Sequence, residues 1–308
     1  MHVSSGRWLY GVSLAMVTAV LWGILPIKLK LVLQDMDPVT VTWYRLASSG
    51  MVLLLWLGAR GSLPAFRPLG RKGAILVGLA IAGLVSNYVL YLMGLNMLSP
   101  GTTQLVIQIA PFLLLISSLF VFHESFSAAQ ALGLLVLLVG FGLFFNQRLG
   151  ELLTSLTDYT LGVLTVVLAA VVWVVYGLAQ KQLLNQWSSF QVMMVLYLGC
   201  ALLLTPWASP SQVLHLDTLQ LWLLVGCCLN TLIAYGAFAE ALAHWEASRV
   251  SAALALTPLI TFGGVALAAS WWPAYVKPED VNLLAYGGAL LVVLGSAGAA
   301  LGHRRAKA

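Results

Sequence analysis

Charged residues are scarce in this sequence. Asp, Glu, Lys and Arg together make up 8% of the 308 residues, whereas hydrophobic residues make up 61%. A soluble globular domain carries about 25% charged residues, and the mean hydropathy here is +0.95. The composition therefore excludes a soluble domain and predicts an all-α, polytopic membrane protein.

Cysteines and the motifs of intramembrane enzymes are scarce as well. The three cysteines, Cys200, Cys227 and Cys228, fall inside predicted helices, so no disulfide framework is expected. The sequence HESFS at 123–127 begins like the zinc-protease motif HExxH, but Ser127 stands where the second histidine would bind the metal. There is no GxSxG motif and no pair of intramembrane aspartates. These absences argue against an enzyme, and we expect neither a metal nor a cofactor.

The long apolar runs of the sequence number ten, and each is close to the 20 residues or so that a membrane-spanning helix needs. They lie near residues 9–27, 38–58, 74–94, 100–122, 128–146, 160–180, 189–206, 219–241, 248–269 and 282–301. Ten such spans use roughly 200 residues, so the connecting loops are short and hold no soluble domain. We therefore predict ten transmembrane helices.

The lysines and arginines of the loops are distributed unevenly between the two sides. Those on the side of the N-terminus number ten, namely Arg7, Arg60, Arg67, Arg71, Lys72, Lys181, Arg249, Arg304, Arg305 and Lys307. Those on the other side number four, namely Lys28, Lys30, Arg148 and Lys277. Because basic loops stay in the cytoplasm, both termini are predicted to be cytoplasmic. This bias explains the pI of about 9.2, so no nucleic-acid partner is implied.

Several motifs recur in the same order in the two halves of the chain. The matched pairs are Trp22 and Trp173 at an offset of 151 residues, and Tyr88 and Tyr235, and Pro111 and Pro258, at an offset of 147. The second half carries an extra loop, WWPAYVKPED at 271–280, after which the register moves and Gly133 falls on Gly287. The sequence therefore contains an internal repeat with one insertion.

The repeat divides the chain into a first copy at 1–147, a connecting loop at 148–158 and a second copy at 159–308, with five predicted spans in each copy. Because five is odd, the second copy enters the membrane from the opposite side, and the repeat is inverted. Inverted repeats form a binding site near the middle of the bilayer, and rocking of one copy against the other exposes that site alternately. This pattern predicts a transporter.

The arrangement of motifs resembles a known family. WYR places Arg45 early in the second span, Pro111 and Pro258 lie in the fourth and ninth spans, and HESF at 123–126 ends the fourth. This resembles the EamA-type members of the drug/metabolite transporter superfamily over nearly the whole chain. The aromatic lining and the lack of buried charge are most similar to the YddG-type exporters of aromatic amino acids and related metabolites. In the second copy, Leu196 stands where Arg45 would, and HESF has no twin.

The resemblance implies ten spans, a central cavity built from helices 1, 3, 4, 6, 8 and 9, and export across the bacterial inner membrane toward the periplasm. The polar and aromatic side chains inside the spans are the candidates for binding the substrate. They are Trp22, Asn87, Tyr88, Tyr91, Gln104, Gln108, Trp173, Tyr176, Asn230 and Tyr235. Pro111 and Pro258 are the candidates for helix breaks that act in gating. Gln104, Gln108 and Pro111 are predicted to share one helical face.

Aromatic rings beside amide and phenol groups suit a zwitterion with an apolar or aromatic side chain. The rings provide stacking and cation–π attraction, and the amides provide hydrogen bonds. The alternative role for these polar residues is hydrogen bonding between helices, which is worth about 0.6 kcal/mol per contact. For Arg45, pairing with Asp35 or Asp37 at the periplasmic rim is expected, and binding of a substrate carboxylate is the alternative.

The position of the carboxylates bears on energy coupling. Glu124 and Glu240 lie at the cytoplasmic ends of helices, and no carboxylate stands in the middle of a span. Proton-coupled carriers generally need one there, so uncoupled export of aromatic and other hydrophobic amino acids is predicted. The alternative is a proton-coupled exporter of lipophilic drugs or other small metabolites. Carriers of sugar phosphates would need several cations at depth, and only Arg45 qualifies.

The expected partners are therefore a small-molecule substrate and the lipid bilayer. Gly295, Gly298 and Gly302 in the last span include a small-xxx-small pair. Such a pair suits close helix packing within the bundle or across a homodimer. The sequence leaves both a monomer and a homodimer open.

Overall fold

A computed structural model describes residues 8–65, 70–121, 127–245 and 247–301. These residues form α-helices and a short 3-10 helix at Pro210–His215, without a β-strand among them. The helices are α1 (Trp8–Val32), α2 (Pro38–Ala59), α3 (Gly70–Met97), α4 (Pro100–Val106), α5 (Ile109–Val121), α6 (Ala128–Phe144), α7 (Leu149–Thr154), α8 (Asp158–Leu183), α9 (Ser189–Leu204), α10 (Thr218–His244), α11 (Ala247–Leu254), α12 (Thr257–Trp271) and α13 (Leu283–Leu301). The prediction of an all-helical protein is confirmed for this part of the chain.

Six stretches of the described chain are long and apolar enough to cross a membrane. They are Trp8–Val32, Gly70–Met97, Asp158–Leu183, Thr218–Phe238, Arg249–Trp271 and Leu283–Leu301. The other four predicted spans correspond to α2, to the broken pair α4 and α5, and to α6 and α9, which have 17 and 16 residues. A membrane-spanning role for these four stays a prediction.

Local sequence signals explain where several helices begin. Asp37 caps α2, because its Oδ1 accepts hydrogen bonds from the backbone N–H groups of Val39 and Thr40 at 2.8 and 3.0 Å. Pro38 at the first helical position costs no hydrogen bond there. Reciprocal capping boxes, in which the cap side chain and a glutamine three residues later bond each other's backbone, begin three further helices. They are Ser127 with Gln130, Ser188 with Gln191, and Asp217 with Gln220.

The helices pack in pairs that are symmetric in the two halves of the chain. The most extensive pairs are α3 with α8, α1 with α10, α2 with α9, and α6 with α13, followed by α1 with α12 and α5 with α8. If α1–α6 are exchanged in order for α8–α13, the pair of α3 with α8 becomes the pair of α10 with α1. The same exchange leaves the pairs of α2 with α9 and of α6 with α13 unchanged. A two-fold axis between the halves would produce this pattern, although the inverted repeat itself stays a prediction.

Two contacts join residues that the 147-residue offset matches. The Tyr88 hydroxyl lies 3.4 Å from the Tyr235 hydroxyl, and Gln108 Nε2 donates to the Ala255 carbonyl oxygen at 3.2 Å. Matched residues of two related copies touch each other only close to the axis that relates the copies. These two contacts therefore mark the place where such an axis would run.

The fourth and ninth predicted spans are each broken two to four residues before a proline. α4 ends at Val106 and α5 begins at Ile109, just before Pro111. The matched break separates α11, which ends at Leu254, from α12, which contains Pro258 near its start. A proline donates no backbone hydrogen bond and crowds the preceding turn, which explains both positions.

The prediction that Pro111 shares a face with Gln104 and Gln108 is wrong. Both glutamines are buried, each 8% exposed, whereas Pro111 is exposed and Pro258 is buried. A turn at residues 107–108 separates α4 from α5, so Gln104 and Pro111 belong to different helices. The spacing rule for one continuous helix therefore does not apply across the break.

α6 and α13 meet along a seam of glycines. A methyl group added at Gly140 would lie 2.6 Å from the Val292 nitrogen, and one at Gly295 would lie 2.5 Å from the Leu137 nitrogen. The two backbones are therefore in direct contact, as small residues allow. Gly295 is buried against α6, while Gly302 of the small-xxx-small pair lies outside the described residues. The choice between a monomer and a homodimer stays open.

Neighbouring glycines on α13 provide a test of this seam. In Gly288→Ala the new methyl group would lie 2.6 Å from the Gly140 carbonyl oxygen, and the resulting overpacking should cost about 1–3 kcal/mol. In the control Gly287→Ala, nothing lies within 4 Å of the added group, so better helix propensity should leave stability unchanged or raise it by up to about 1 kcal/mol. Melting temperatures in detergent measure both. Equal melting temperatures would contradict the seam.

Candidate functional site

Aromatic side chains from both halves of the chain meet in the interior, at the contact between Tyr88 of α3 and Tyr235 of α10. We call Tyr88, Tyr197 and Tyr235 the tyrosine cluster. The ring centroids of Tyr197 and Tyr235 are 6.2 Å apart, with their planes at 75°. Trp22 packs on Tyr235 edge-to-face at a centroid distance of 5.3 Å and lies 5.6 Å from Phe238. Edge-to-face packing of this kind is favourable for aromatic rings.

Arg45, in the first half of α2, lies against this cluster. It is only 4% exposed, its ζ carbon is 4.8 Å from the centroid of the Tyr88 ring, and its Nε donates to the Thr231 hydroxyl at 3.1 Å. It forms no ion pair with any residue in the described ranges. A cation over an aromatic face is stabilised, but a buried cation without a carboxylate still costs several kcal/mol.

The prediction that Arg45 pairs with Asp35 or Asp37 is wrong. Arg45 follows Asp37 by eight residues, a rise of about 12 Å along the helix, so its side chain starts well below the end of the bundle. Both aspartates are also engaged elsewhere. Asp37 caps α2, and Asp35 accepts a hydrogen bond from Gln220 Nε2. The depth of Arg45 was readable from the sequence, but the direction of its side chain was not.

The predicted asparagines join helices. Asn87 Nδ2 donates to the Ala169 carbonyl oxygen at 2.9 Å, which ties α3 to α8. Asn230 Nδ2 donates to the Leu21 carbonyl oxygen at 2.6 Å, which ties α10 to α1. These are the two helix pairs that exchange of the halves interconverts. In this conformation both side chains make the helix–helix bonds that the sequence left open as the alternative to substrate binding.

The predicted glutamines also have partners. Gln104 Oε1 accepts a hydrogen bond from the Tyr91 hydroxyl at 2.7 Å, and Gln108 Nε2 bonds to the Ala255 carbonyl oxygen at the break between α11 and α12. Gln104 and Tyr91 thus connect α4 to α3, and Gln108 connects the two broken helices to each other. Their contact with a substrate stays a prediction.

Trp173 and Tyr176 of α8 belong to the same hydrophobic core as the tyrosine cluster. Tyr176 is buried, with its hydroxyl 3.8 Å from the Met193 sulfur. The ring centroids of Trp173 and Tyr176 are 6.4 Å apart. Their matched positions in the first copy do not form a comparable pair: Trp22 packs on α10 instead. The core around the cluster is therefore asymmetric.

Sequence reasoning missed Tyr197. It is completely buried in α9, and its hydroxyl has no hydrogen-bond partner among the described residues. Because its counterpart at the 151-residue offset is Leu46, no repeat match pointed to it. A tyrosine in the middle of an apolar span was the only available signal. Glu124 and the rest of the HESF motif lie outside the described residues.

A small void touches the tyrosine cluster. We call the side on which α1 begins the near face and the side on which it ends the far face. The void of about 20 Å³ lies between α2, α9 and α10 toward the near face and touches Tyr197 and Tyr235. Its apolar wall includes Leu53, Phe190 and Met193. A void of this volume holds about one water molecule.

Polar contacts close the far face by connecting helix ends to one another. They are Lys30 with the carbonyl oxygens of Leu95 and Asn96, Asp35 with Gln220, the Asp37 N–H with Gln212, Asn146 with Asn282, and Glu279 with Ser99 and Gly101. The Lys30 Nζ of α1 donates to the carbonyl oxygens of Leu95 and Asn96 of α3 at 2.8 and 2.7 Å. These contacts tie the described helix ends together on the far face.

Glu279 lies in the loop between α12 and α13 and holds the start of α4. One carboxylate oxygen accepts a hydrogen bond from the Ser99 hydroxyl and the other from the Gly101 N–H at 2.6 Å. A cavity of about 230 Å³ adjoins this contact, lined in part by Thr102, Arg148 and Tyr159. Burial raises the pKa of the Glu279 carboxyl above its ordinary value. The two hydrogen bonds and the charge of Lys30 act in the opposite direction without cancelling the shift.

Comparison with known proteins gives one family. The model of the EamA-like transporter family matches the chain twice, at residues 9–146 and 160–301. The uncharacterized inner membrane transporter YhbE of Escherichia coli (strain K12) is 42% identical over 295 residues, which cover 96% of this chain and 92% of that protein. An uncharacterized transporter of Haemophilus influenzae is 39% identical over 296 residues, covering 96% of each.

The fold has a counterpart among solved structures. A crystal structure of a protein that is 20% identical superposes with a TM-score of 0.62, covering 97% of this chain and 100% of that chain. At this level of identity, the likeness concerns the fold alone. It extends over both halves of the helical bundle.

The contact of Glu279 predicts a pH dependence of stability. The pKa of the Glu279 carboxyl is raised in the folded protein. The stability that this carboxyl contributes is therefore fully present below its ordinary pKa of about 4.5, and it is lost as the pH rises through the pKa of the folded state. Glu279→Gln remains neutral and should lose less stability than the wild type as the pH rises from 4.5 toward neutrality. Melting temperatures across this range measure the difference. The neighbouring exposed acid provides a control, since Asp280→Asn should keep the wild-type slope. Equal slopes for all three proteins would contradict the burial of the Glu279 carboxyl.

Proposed function

This chain belongs to the EamA-like transporter family, and on that basis we propose that it exports aromatic and other hydrophobic amino acids and related metabolites. The proposal includes its location in the bacterial inner membrane, in keeping with the relative named an inner membrane transporter. It rests above all on the tyrosine cluster, where aromatic rings and one buried cation meet between the halves of the chain. A YddG-type specificity is part of the proposal.

The chemistry of the cluster suits this substrate class. Trp22 and Tyr235 offer faces and edges on which an aromatic side chain stacks, and such contacts are worth about 0.5–1.5 kcal/mol each beyond the area they bury. The same rings attract an ammonium group through their faces. A sugar phosphate would instead need several cations, and Arg45 is the only one that touches the cluster within the described part of the chain.

We infer that transport proceeds by alternating access. Support comes from the matched motifs of the two halves and from the far face, where the contacts of Lys30 and Glu279 hold helix ends together. Opening of the far face then requires the contacts of Lys30 and Glu279 to separate. The breaks before Pro111 and Pro258 supply places where the fourth and ninth spans can bend.

We infer further that export needs no proton gradient. The sequence holds no carboxylate in the middle of a predicted span, and proton-coupled carriers generally titrate one there. Glu240 lies near the end of α10, where it is exposed and 3.0 Å from His244. The amino acid's own gradient would then drive its export, with the inside concentration as the source of free energy.

Purified protein in liposomes tests the function directly. Liposomes loaded with phenylalanine, tryptophan or threonine should release the amino acid without a proton gradient, because the driving force is the substrate's own gradient. Radiolabelled release over time is the measurement, and protein-free liposomes are the control. Release no faster than the control for every amino acid would refute amino-acid export. Release that requires a proton gradient would remove the uncoupled mechanism, and release of lipophilic drugs alone would favour the drug-exporter alternative.

Substitutions in the interior test the site. In Trp22→Ala the substrate loses an aromatic contact worth about 1 kcal/mol, so the flux of phenylalanine should fall about fivefold. Gln108→Ala should also lower the flux, because it removes the bond that connects the two broken helices. Trp222 is an exposed tryptophan of α10, so Trp222→Ala should retain wild-type flux. All three variants should elute as folded protein on size exclusion. Wild-type flux in both interior variants would remove these residues from the site.

A further inference from the structure

The guanidinium of Arg45 has spare hydrogen-bonding capacity in the interior of the bundle. Within the described residues, only its Nε–H donates, to the Thr231 hydroxyl at 3.1 Å. That hydroxyl in turn donates to the Cys227 carbonyl oxygen at 3.0 Å, so its orientation is set by α10 and it accepts from the arginine. The terminal Nη groups, which form the fork that binds carboxylates in bidentate fashion, have no described acceptor.

Two neighbours hold the guanidinium in place. Thr231 holds the Nε edge, and the ring of Tyr88 lies 4.8 Å from the ζ carbon. A planar guanidinium packed on a ring keeps its fork in one orientation, unlike the ammonium of a lysine. The Tyr88 hydroxyl lies beside that of Tyr235, so the cation belongs to the cluster that the small void touches.

The cation has no counterpart in the second half of the chain. At the 151-residue offset, Arg45 corresponds to Leu196, which is 0% exposed in α9. The carboxylates closest to Arg45 in the sequence, Asp35 and Asp37, bind Gln220 and the start of α2. Arg45 is the only charged side chain among the buried residues of the described chain. The partly buried Lys28, whose Nζ donates to the Gly226 carbonyl oxygen at 3.4 Å, lies close enough to interact with it electrostatically. The positive charge of this region matches a ligand that carries a carboxylate.

We propose that Arg45 binds the carboxylate of the transported molecule and restricts transport to compounds with a free carboxylate. A bound carboxylate would supply the charge and the acceptors that the protein itself does not provide, and this would explain why an arginine is retained among apolar helices. The inference rests on the proposed export function. It goes further by assigning one residue to one group of the substrate and by excluding amides and simple amines.

A panel of related compounds tests this in liposomes. Wild-type protein should transport phenylalanine but not phenylalaninamide or phenethylamine, which keep the ring and the amine but lack the carboxylate. In Arg45→Gln, the affinity for phenylalanine in equilibrium binding should fall at least about thirtyfold, as expected for loss of one partner of a buried charge pair. Arg45→Lys keeps the charge without the fork and should be intermediate. Arg60, which directly follows the last residue of the same helix, packs on exposed Trp56, so Arg60→Gln should bind like the wild type.

The outcomes separate this inference from the export proposal. Equal transport of phenylalanine and its amide, or unchanged binding in Arg45→Gln, would overturn the role of Arg45 and leave amino-acid export standing. Transport of phenylpropionate but not of phenylalanine, lost in Arg45→Gln, would support Arg45 and contradict amino-acid export. Transport of phenethylamine alone, or of no compound, would overturn both. Should Arg45→Gln fail to fold, the comparison of acid with amide in the wild type decides.

Discussion

A polar group placed among hydrocarbon chains finds no water, so it needs a partner inside the protein or costs several kcal/mol. This constraint accounts for most of the polar side chains within the long helices. Asn87 and Asn230 each bind a carbonyl oxygen on a neighbouring helix, and Gln108 binds one at a helix break. Arg45 is satisfied only in part, by a hydroxyl and an aromatic ring, and the Oδ1 of Asn230 also lacks a hydrogen-bond partner among the described residues. Buried residues with hydrogen-bonding groups that lack partners are therefore better candidates for the site than buried polar residues in general.

Sequence patterns anticipated the symmetric features better than the orientation of individual side chains. The 147-residue offset matched Tyr88 with Tyr235, which are in contact, and the two prolines lie just after two helix breaks. Helical spacing could not place Pro111, because a turn of unknown rotation separates it from Gln104. Helical spacing also could not show whether the Arg45 side chain points to the rim aspartates or to the interior. The position of a residue along its helix follows from the local sequence, whereas its partner belongs to a distant helix. Long-range packing decides such cases.

The two halves share the same arrangement of helices but differ in the residues proposed to bind the substrate and to hold the far face together. Arg45 has Leu196 as its counterpart, and Tyr197 has Leu46, so charge and phenol groups enter the core from one copy each. The insertion at 271–280 is confined to the second half, and it carries Glu279, which holds the start of α4. Two identical copies would present the same side chains to both ends of a ligand and would hold both faces together with the same contacts. Under the proposed export function, departures from the repeat would let the protein distinguish the carboxylate end of an amino acid from the other end.

Symmetry also indicates which contacts can persist through a transport cycle. If the halves exchange conformations during alternating access, a contact between unmatched residues, such as Lys30 with Leu95, is replaced by its counterpart on the other face. A contact between matched residues is its own counterpart, so Tyr88 and Tyr235 can stay together in both states. The cluster would then serve as the fixed part of the mechanism, while the ties of Lys30 and Glu279 separate and re-form. Arg45 packs on Tyr88, so a carboxylate bound there would remain at the centre of the bundle while access passes from one face to the other.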